Sequence, residues 1–203
     1  MANNKVTEKR SGSWSPGLSE AERLVLFGIA RDTLEWSVQG RSAPFDWGRH
    51  ALTPRLETKS ATFATFRNGG RLRGCMGTLE ANEPMAVSVH HSAANAACDS
   101  RFVFDPIGAA ELSAIRTDVS ILSPREPIAS PADFRVGEHG IWLSKRGRGA
   151  VYLPEVASEQ GWTREQTLAS LCEKAGLAPD DWKEGARLAI FYSVVLSDAL
   201  DAD

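Results

Sequence analysis

The sequence predicts an α+β fold, and three observations carry that prediction. Two hairpin signatures, with glycines between runs of β-forming residues, supply strands. Two capping boxes, Ser19 with Glu22 and Thr163 with Gln166, open amphipathic helical stretches. The order hairpin, proline, helix occurs around residues 60–98 and again around 140–176, which hints at an internal duplication without a strict sequence period.

Residues 1–17 are polar and carry Gly and Pro, so they read as a loose tail before a single domain over 18–198. From Ser19 the apolar residues Leu26, Ile29, Ala30 and Leu34 fall at helical spacing, predicting a helix to about Gln39 that stops at Gly40. Residues 41–58, with Pro44 and Pro54, read as a connecting loop. Strands are expected over Ser60–Phe66 and Arg71–Leu79, turning through Asn68-Gly69-Gly70. Pro84 opens a helix to about Cys98. Thr117, Val119 and Ile121 alternate with Asp118, Ser120 and Leu122 in a strand, after which Pro124, Pro127 and Pro131 break regular structure. The second hairpin pairs Gly140–Lys145 with Ala150–Leu153 through Arg146-Gly147-Arg148-Gly149 and ends at Pro154. The helix from Thr163 turns Leu168, Leu171, Cys172 and Ala175 inward and caps at Gly176. Residues 187–196 read as one buried final strand.

Composition narrows the classes of function. With 42% hydrophobic and 24% charged residues, the 203-residue chain can bury a substantial core. A net charge of −3 gives no global pull toward nucleic acid or anionic lipid. No apolar run approaches the ~20 residues that span a bilayer, and no apolar signal segment opens the chain. Three well-separated cysteines suit free thiols in a reducing compartment, with the cytoplasm as the default. Neither H-x-x-x-H nor C-x-x-C spacing occurs, and the adjacent His90 and His91 diverge on a helix, so no metal site is expected. Phosphate-loop, nucleophile-elbow and dinucleotide signatures are also missing. Basic turns at Arg67, Arg71 and Arg73 and at Arg146 and Arg148 read as a nucleic-acid surface or as solvated turns.

The chemistry concentrates at Cys75. Strand alternation places Arg71, Arg73 and Cys75 on one side of the first hairpin, where a guanidinium would favour the thiolate. Gly74 and Gly77 weaken that strand unless a ligand, a bulge or another chain segment approaches its backbone. A free cysteine also packs as a small hydrophobe, which is the competing reading and the expected one for Cys98 and Cys172. His139, between Gly137 and Gly140, would serve as base to the thiol or as an ordinary loop histidine.

Leu72-Arg73-Gly74-Cys75-Met76-Gly77 resembles the LRGC-[IV]-G hallmark of the AMMECR-one domain family. Asp99-Ser100-Arg101-Phe102, Val119-Ser120-Ile121-Leu122, Val136-Gly137-Glu138-His139-Gly140 and Leu153-Pro154-Glu155-Val156-Ala157 resemble later blocks of that family, in the same order across about residues 20–196. Met76 replaces a branched aliphatic, and Phe104 stands where the family often carries proline. The resemblance implies two strand–helix repeats on one barrel-like mixed sheet with flanking helices. It also implies a cleft near the first motif, with Arg73, Cys75, Asp99, Arg101, His139 and Glu155 as site residues. Cys75 and His139 would carry chemistry, and Arg73, Asp99, Arg101 and Glu155 would bind substrate. Its gene neighbourhoods imply a Memo-like protein, related to extradiol dioxygenases, and a radical-SAM enzyme as partners. Three functions follow as expectations: a small-molecule-binding enzyme or enzyme component, a non-catalytic adaptor, and a nucleic-acid binder. No cofactor is implied.

Overall fold

Helix caps and glycine turns place the elements of the computed structural model, which describes residues 6–198. The chain runs β1 (Val6–Arg10), α1 (Glu20–Val38), β2 (Ala61–Asn68), β3 (Arg71–Gly77), α2 (Met85–Ala97), β4 (Ile115–Leu122), β5 (Glu126–Ile128), β6 (Gly140–Lys145), β7 (Arg148–Tyr152), α3 (Pro154–Glu159), α4 (Arg164–Lys174), β8 (Arg187–Phe191) and β9 (Ser193–Asp198). The described residues divide into two compact units, one built on 16–122 with 6–9 and 194–198, the other on 10–15 and 123–193. The expected domain over 18–198 thus covers most of both units.

The class is α+β as expected, but the single barrel-like mixed sheet is not. Among the described residues two antiparallel sheets form instead, ordered β1-β9-β4-β2-β3 and β5-β8-β6-β7, and no barrel closes. The cause lies in the last apolar run, which is two strands rather than one. At Tyr192 the backbone N–H donates to the Ser123 hydroxyl and the carbonyl accepts from the Ser123 N–H, both at 2.9 Å. These bonds take Tyr192 out of the ladder, so β8 joins the second sheet and β9 the first.

In the first unit, the Ser19 hydroxyl accepts the Glu22 N–H, and the Glu22 carboxylate accepts the Ser19 N–H at 2.8 Å. This reciprocal cap starts α1, and Gly40 at φ +81° follows its end. Leu26, Ile29, Ala30 and Leu34 are buried as their spacing predicts. Each large apolar side chain so buried contributes ~1.5–3 kcal/mol. Gly69 and Gly70, at φ +54° and +81°, make the β2–β3 turn. β2 pairs antiparallel with both β3 and β4, and Ala64, Phe66, Val119 and Ile121 fill the core with Val89 and Ala93 of α2. Residues 6–10, expected within a loose tail, are an edge strand beside β9. Val-Thr-Glu-Lys-Arg has one apolar residue, too few to register as a strand in sequence, yet Glu8 ion-pairs with Arg23 at 2.8 Å.

In the second unit, the β6–β7 turn is tighter than expected. Arg146 and Gly147 alone make it, at φ +53° and +75°, which is the two-residue form whose twist matches the strands. β6 pairs antiparallel with β7 and β8 over a core of Phe134, Ile141, Leu143, Leu168, Leu171 and Cys172. The proline-rich stretch carries a short edge strand, β5, where Pro127 removes a donor that an edge does not need. Pro154 ends the hairpin by starting α3, and the capping box of Thr163 and Gln166 starts α4. In each unit the strand after the helix returns beside the first strand of the hairpin: β4 on β2, and β8 on β6.

Candidate functional site

Strand register sets the site. Phe66 pairs with Gly74 and Arg67 with Leu72, so Arg73 is an extra residue that bulges out of β3. Register therefore puts Arg71 on the face of Asn68 and Cys75 on the face of Thr65, the opposite side of the sheet. The expected common face for Arg71, Arg73 and Cys75 is broken by the bulge.

The bulge sends Arg73 into a structural knot. Its guanidinium is 4% exposed and donates to Glu111 at 2.8 and 3.2 Å, to Asp105 at 3.0 Å and to the Pro106 carbonyl at 3.1 Å. Asn68 and the Gly108 N–H also donate to Glu111, whose pKa falls to about 2, chiefly because Arg73 bonds the ionised form. Arg71 bonds Asp105 at 2.8 Å. Arg71 and Arg73 of the first hairpin's basic stretch are thus paired with acids, and Arg73 holds the 105–111 loop in place.

A different arginine reaches Cys75. The Cys75 N–H donates to Asp99 Oδ2 at 3.1 Å, and Arg101 donates back to the Cys75 carbonyl at 3.2 Å. Asp99 is 5% exposed and accepts from the Arg101 N–H, Nε and Nη2, with the closest contact at 2.6 Å. Those bonds, Arg101 first, lower the Asp99 pKa to about 2. The Arg101 pKa is raised, mainly by the bond to Asp99 and in smaller part by Cys75. Asp99, Arg101 and Cys75 are brought together, and the Arg101 side chain keeps 56% of its surface open to solvent.

The Cys75 thiol is half-buried and accepts the Thr65 hydroxyl at 3.2 Å. Thr65 faces Asp118 on its other side, and Asp118 accepts the Ser197 hydroxyl at 2.6 Å. Cys75, Thr65, Asp118 and Ser197 therefore make a polar row across β3, β2, β4 and β9. On the other face Gly74 meets the end of α2, where a Cβ would overlap the Ala96 carbonyl oxygen, and a Cβ on Gly77 would overlap the Thr62 carbonyl. Both glycines answer to chain segments already in the fold.

The other cysteines divide. Cys172 is core, as expected, but Cys98 is exposed, because it follows the last turn of α2 as its cap, and Arg41 donates to its sulfur at 3.2 Å. His139 and Glu155 belong to the second unit. His139 is buried, its Nδ1 accepts the Arg135 N–H at 3.1 Å, and burial first of all lowers its pKa. Its remaining ring nitrogen, Nε2, therefore carries the proton of the neutral form. Glu155 lies in the first turn of α3, where a carboxylate suits the helix dipole. Among the described residues no group of three or more His, Cys, Asp or Glu is placed to hold a metal ion. No described helix is long and apolar enough to cross a membrane.

Comparison with known proteins gives the family. The AMMECR1 (AMMECR-one) family model matches residues 27–196. A Methanothermobacter thermautotrophicus protein is 36% identical over 173 residues, covering 80% of this chain and 86% of its own. An uncharacterized Arabidopsis thaliana protein is 38% identical over 131 residues, 59% of this chain and 60% of its own. The crystal structure of an uncharacterized Pyrococcus horikoshii protein superposes with a TM-score of 0.79 at 28% identity, covering 91% of this chain and 95% of that one. The chain belongs to the AMMECR1 family.

Proposed function

We propose that the polar row at Cys75 binds a small anionic or carbonyl-bearing molecule, with Cys75 as nucleophile or thiol ligand in an enzyme or enzyme component. One observation carries this reading: a half-buried thiol receives the Thr65 hydroxyl while the solvent-facing Arg101 is fixed on the carbonyl of the same residue. Arg101 supplies the charge that meets the ligand, Asp99 positions Arg101, and Arg73 holds the neighbouring loop. Nothing in this reading rests on His139 or Glu155. The test uses Cys98→Ser protein, since the exposed Cys98 would otherwise consume reagent. Pyruvate is expected to slow iodoacetamide alkylation of Cys75 saturably, and to lose that effect in Arg101→Gln. Protection that is absent, or unchanged in the variant, counts against the site.

A second reading, an adaptor that docks a partner protein, is favoured by Val103 and Phe104, which are 65% and 100% exposed on the loop after Arg101. The partners implied by the resemblance, Memo-like and radical-SAM proteins, are the ones to try. Co-purification lost in Phe104→Ser but kept in Cys75→Ser would favour the adaptor.

A further inference from the structure

Arg67 of β2 and Arg116 of β4 stand directly opposite each other in the antiparallel ladder, with Cβ atoms about 5 Å apart on one face of the first sheet. Arg67 is half-buried and Arg116 exposed. Among the described residues neither takes part in an ion pair or a side-chain hydrogen bond. Arg71 and Arg73, on the other strand of the same hairpin, are by contrast paired with Asp105 and Glu111.

Like charges directly opposite in a sheet repel, so this pair costs the fold stability. The carboxylate that register brings nearest is Asp118, one row along the same face and diagonal to Arg67. It accepts the Ser197 hydroxyl at 2.6 Å and pairs with neither arginine. Two guanidiniums thus stand side by side with their donors unused by the described protein. The adjacent row carries the thiol: Thr65 and Asp118 are two residues from Arg67 and Arg116, and Cys75 is opposite Thr65. Strand alternation puts both rows on one face, about 7 Å apart along the strands.

We propose that Arg67 and Arg116 bind the phosphate of a small phosphorylated carbonyl compound whose carbonyl end reaches Cys75. A phosphate dianion balances both charges, and its oxygens accept the paired donors of each guanidinium fork. A single carboxylate would offset only one of them. The inference rests on the Cys75 site for the carbonyl end, whereas the phosphate end stands on the arginine pair alone.

Inorganic phosphate added to the full chain, against chloride at equal ionic strength, tests the pair by amide chemical shifts. Saturable shifts centred on residues 65–68 and 115–118 at millimolar phosphate are expected. Binding should weaken several-fold in Arg116→Gln and about tenfold or more in Arg67→Gln/Arg116→Gln. Both variants should unfold at a urea concentration no lower than the parent's, since they lose a repulsion and no native bond. Shifts elsewhere, no saturation, unweakened binding by the variants, or variants less stable than the parent would each overturn the phosphate site. The link to the thiol uses Cys98→Ser protein. Dihydroxyacetone phosphate should protect Cys75 from iodoacetamide at a concentration at least about tenfold below dihydroxyacetone, and lose that advantage when Arg67→Gln/Arg116→Gln is added. Equal protection by the two compounds, with pyruvate still protecting, overturns this inference and leaves the Cys75 site standing. Loss of all protection with phosphate still bound removes the Cys75 site, and with it the carbonyl end of the ligand.

Discussion

The carboxylate of Asp99 accepts the backbone N–H of Cys75 at 3.1 Å while gripping the Arg101 guanidinium, so one buried acid fixes both the strand and the cation beside the thiol. Asp99→Ala would strand the part-buried Cys75 N–H and release Arg101. A loss of about 3 kcal/mol in urea unfolding is expected, against a smaller loss for Asp99→Asn. The acid limb follows from the same bonds. The Asp99 pKa is lowered from 3.8 to about 2 in the fold, so its contribution is full above pH 3.8 and is lost as pH falls toward 2. Because Arg101 is open to solvent, that contribution is about 1–2 kcal/mol. Stability followed from pH 5 to pH 2 should fall less steeply in Asp99→Asn.

Arg73 is expected to matter for stability more than for ligand binding. Arg73→Met leaves Glu111 and the exposed Asp105 without their shared cation and should cost about 3–5 kcal/mol. Restoring neutrality with Glu111→Gln in the same chain should recover part of that loss. A double-mutant cycle in urea measures the coupling, and pyruvate protection of Cys75 in surviving native protein separates the two roles. An Arg73→Met protein of unchanged stability would remove the structural assignment.

His90 is expected to stay neutral well into acid. It is buried among Trp36, Phe45 and Trp47, its Nδ1 shares a 2.8 Å bond with Thr33, and burial first of all lowers its pKa to about 4. The unfolded chain takes up this proton around the ordinary histidine value of 6.5, so stability is present above that pH and is lost as pH falls toward 4. An NMR titration of the His90 ring should give a midpoint near 4, whereas a midpoint near 6.5 would contradict this account.

Much of the fold is legible in the residues, and what is hidden has local causes. The caps at Ser19 and Thr163 and the glycines at 69–70 announce themselves because each satisfies a steric or hydrogen-bonding need within a few residues. Tyr192 does not, since its departure from the ladder depends on Ser123, 69 positions away. At the site, Cys75, Asp99 and Arg101 are readable from motif resemblance. Thr65 is not, for a specific reason. Counting back from the Gly69-Gly70 turn without a bulge would set Ala64 opposite Cys75, and the extra residue Arg73 moves Thr65 there instead. The same bulge turns Arg73 from an apparent thiol partner into a clamp on Glu111. Asp118 and Ser197 come from strands that only the sheet order brings beside β2.

The central proposal, that Cys75 is a reactive thiol in a site shared with Arg101, is tested most directly by the rate of Cys75 alkylation in Cys98→Ser protein. Iodoacetamide labelling at pH 7, mapped by peptide mass spectrometry, should run about three- to tenfold faster than labelling of the urea-unfolded chain. It should fall toward the unfolded rate in Arg101→Gln. A Cys75 that reacts no faster than the unfolded chain, with a rate indifferent to Arg101→Gln, would make it a packed hydrophobe and contradict the account.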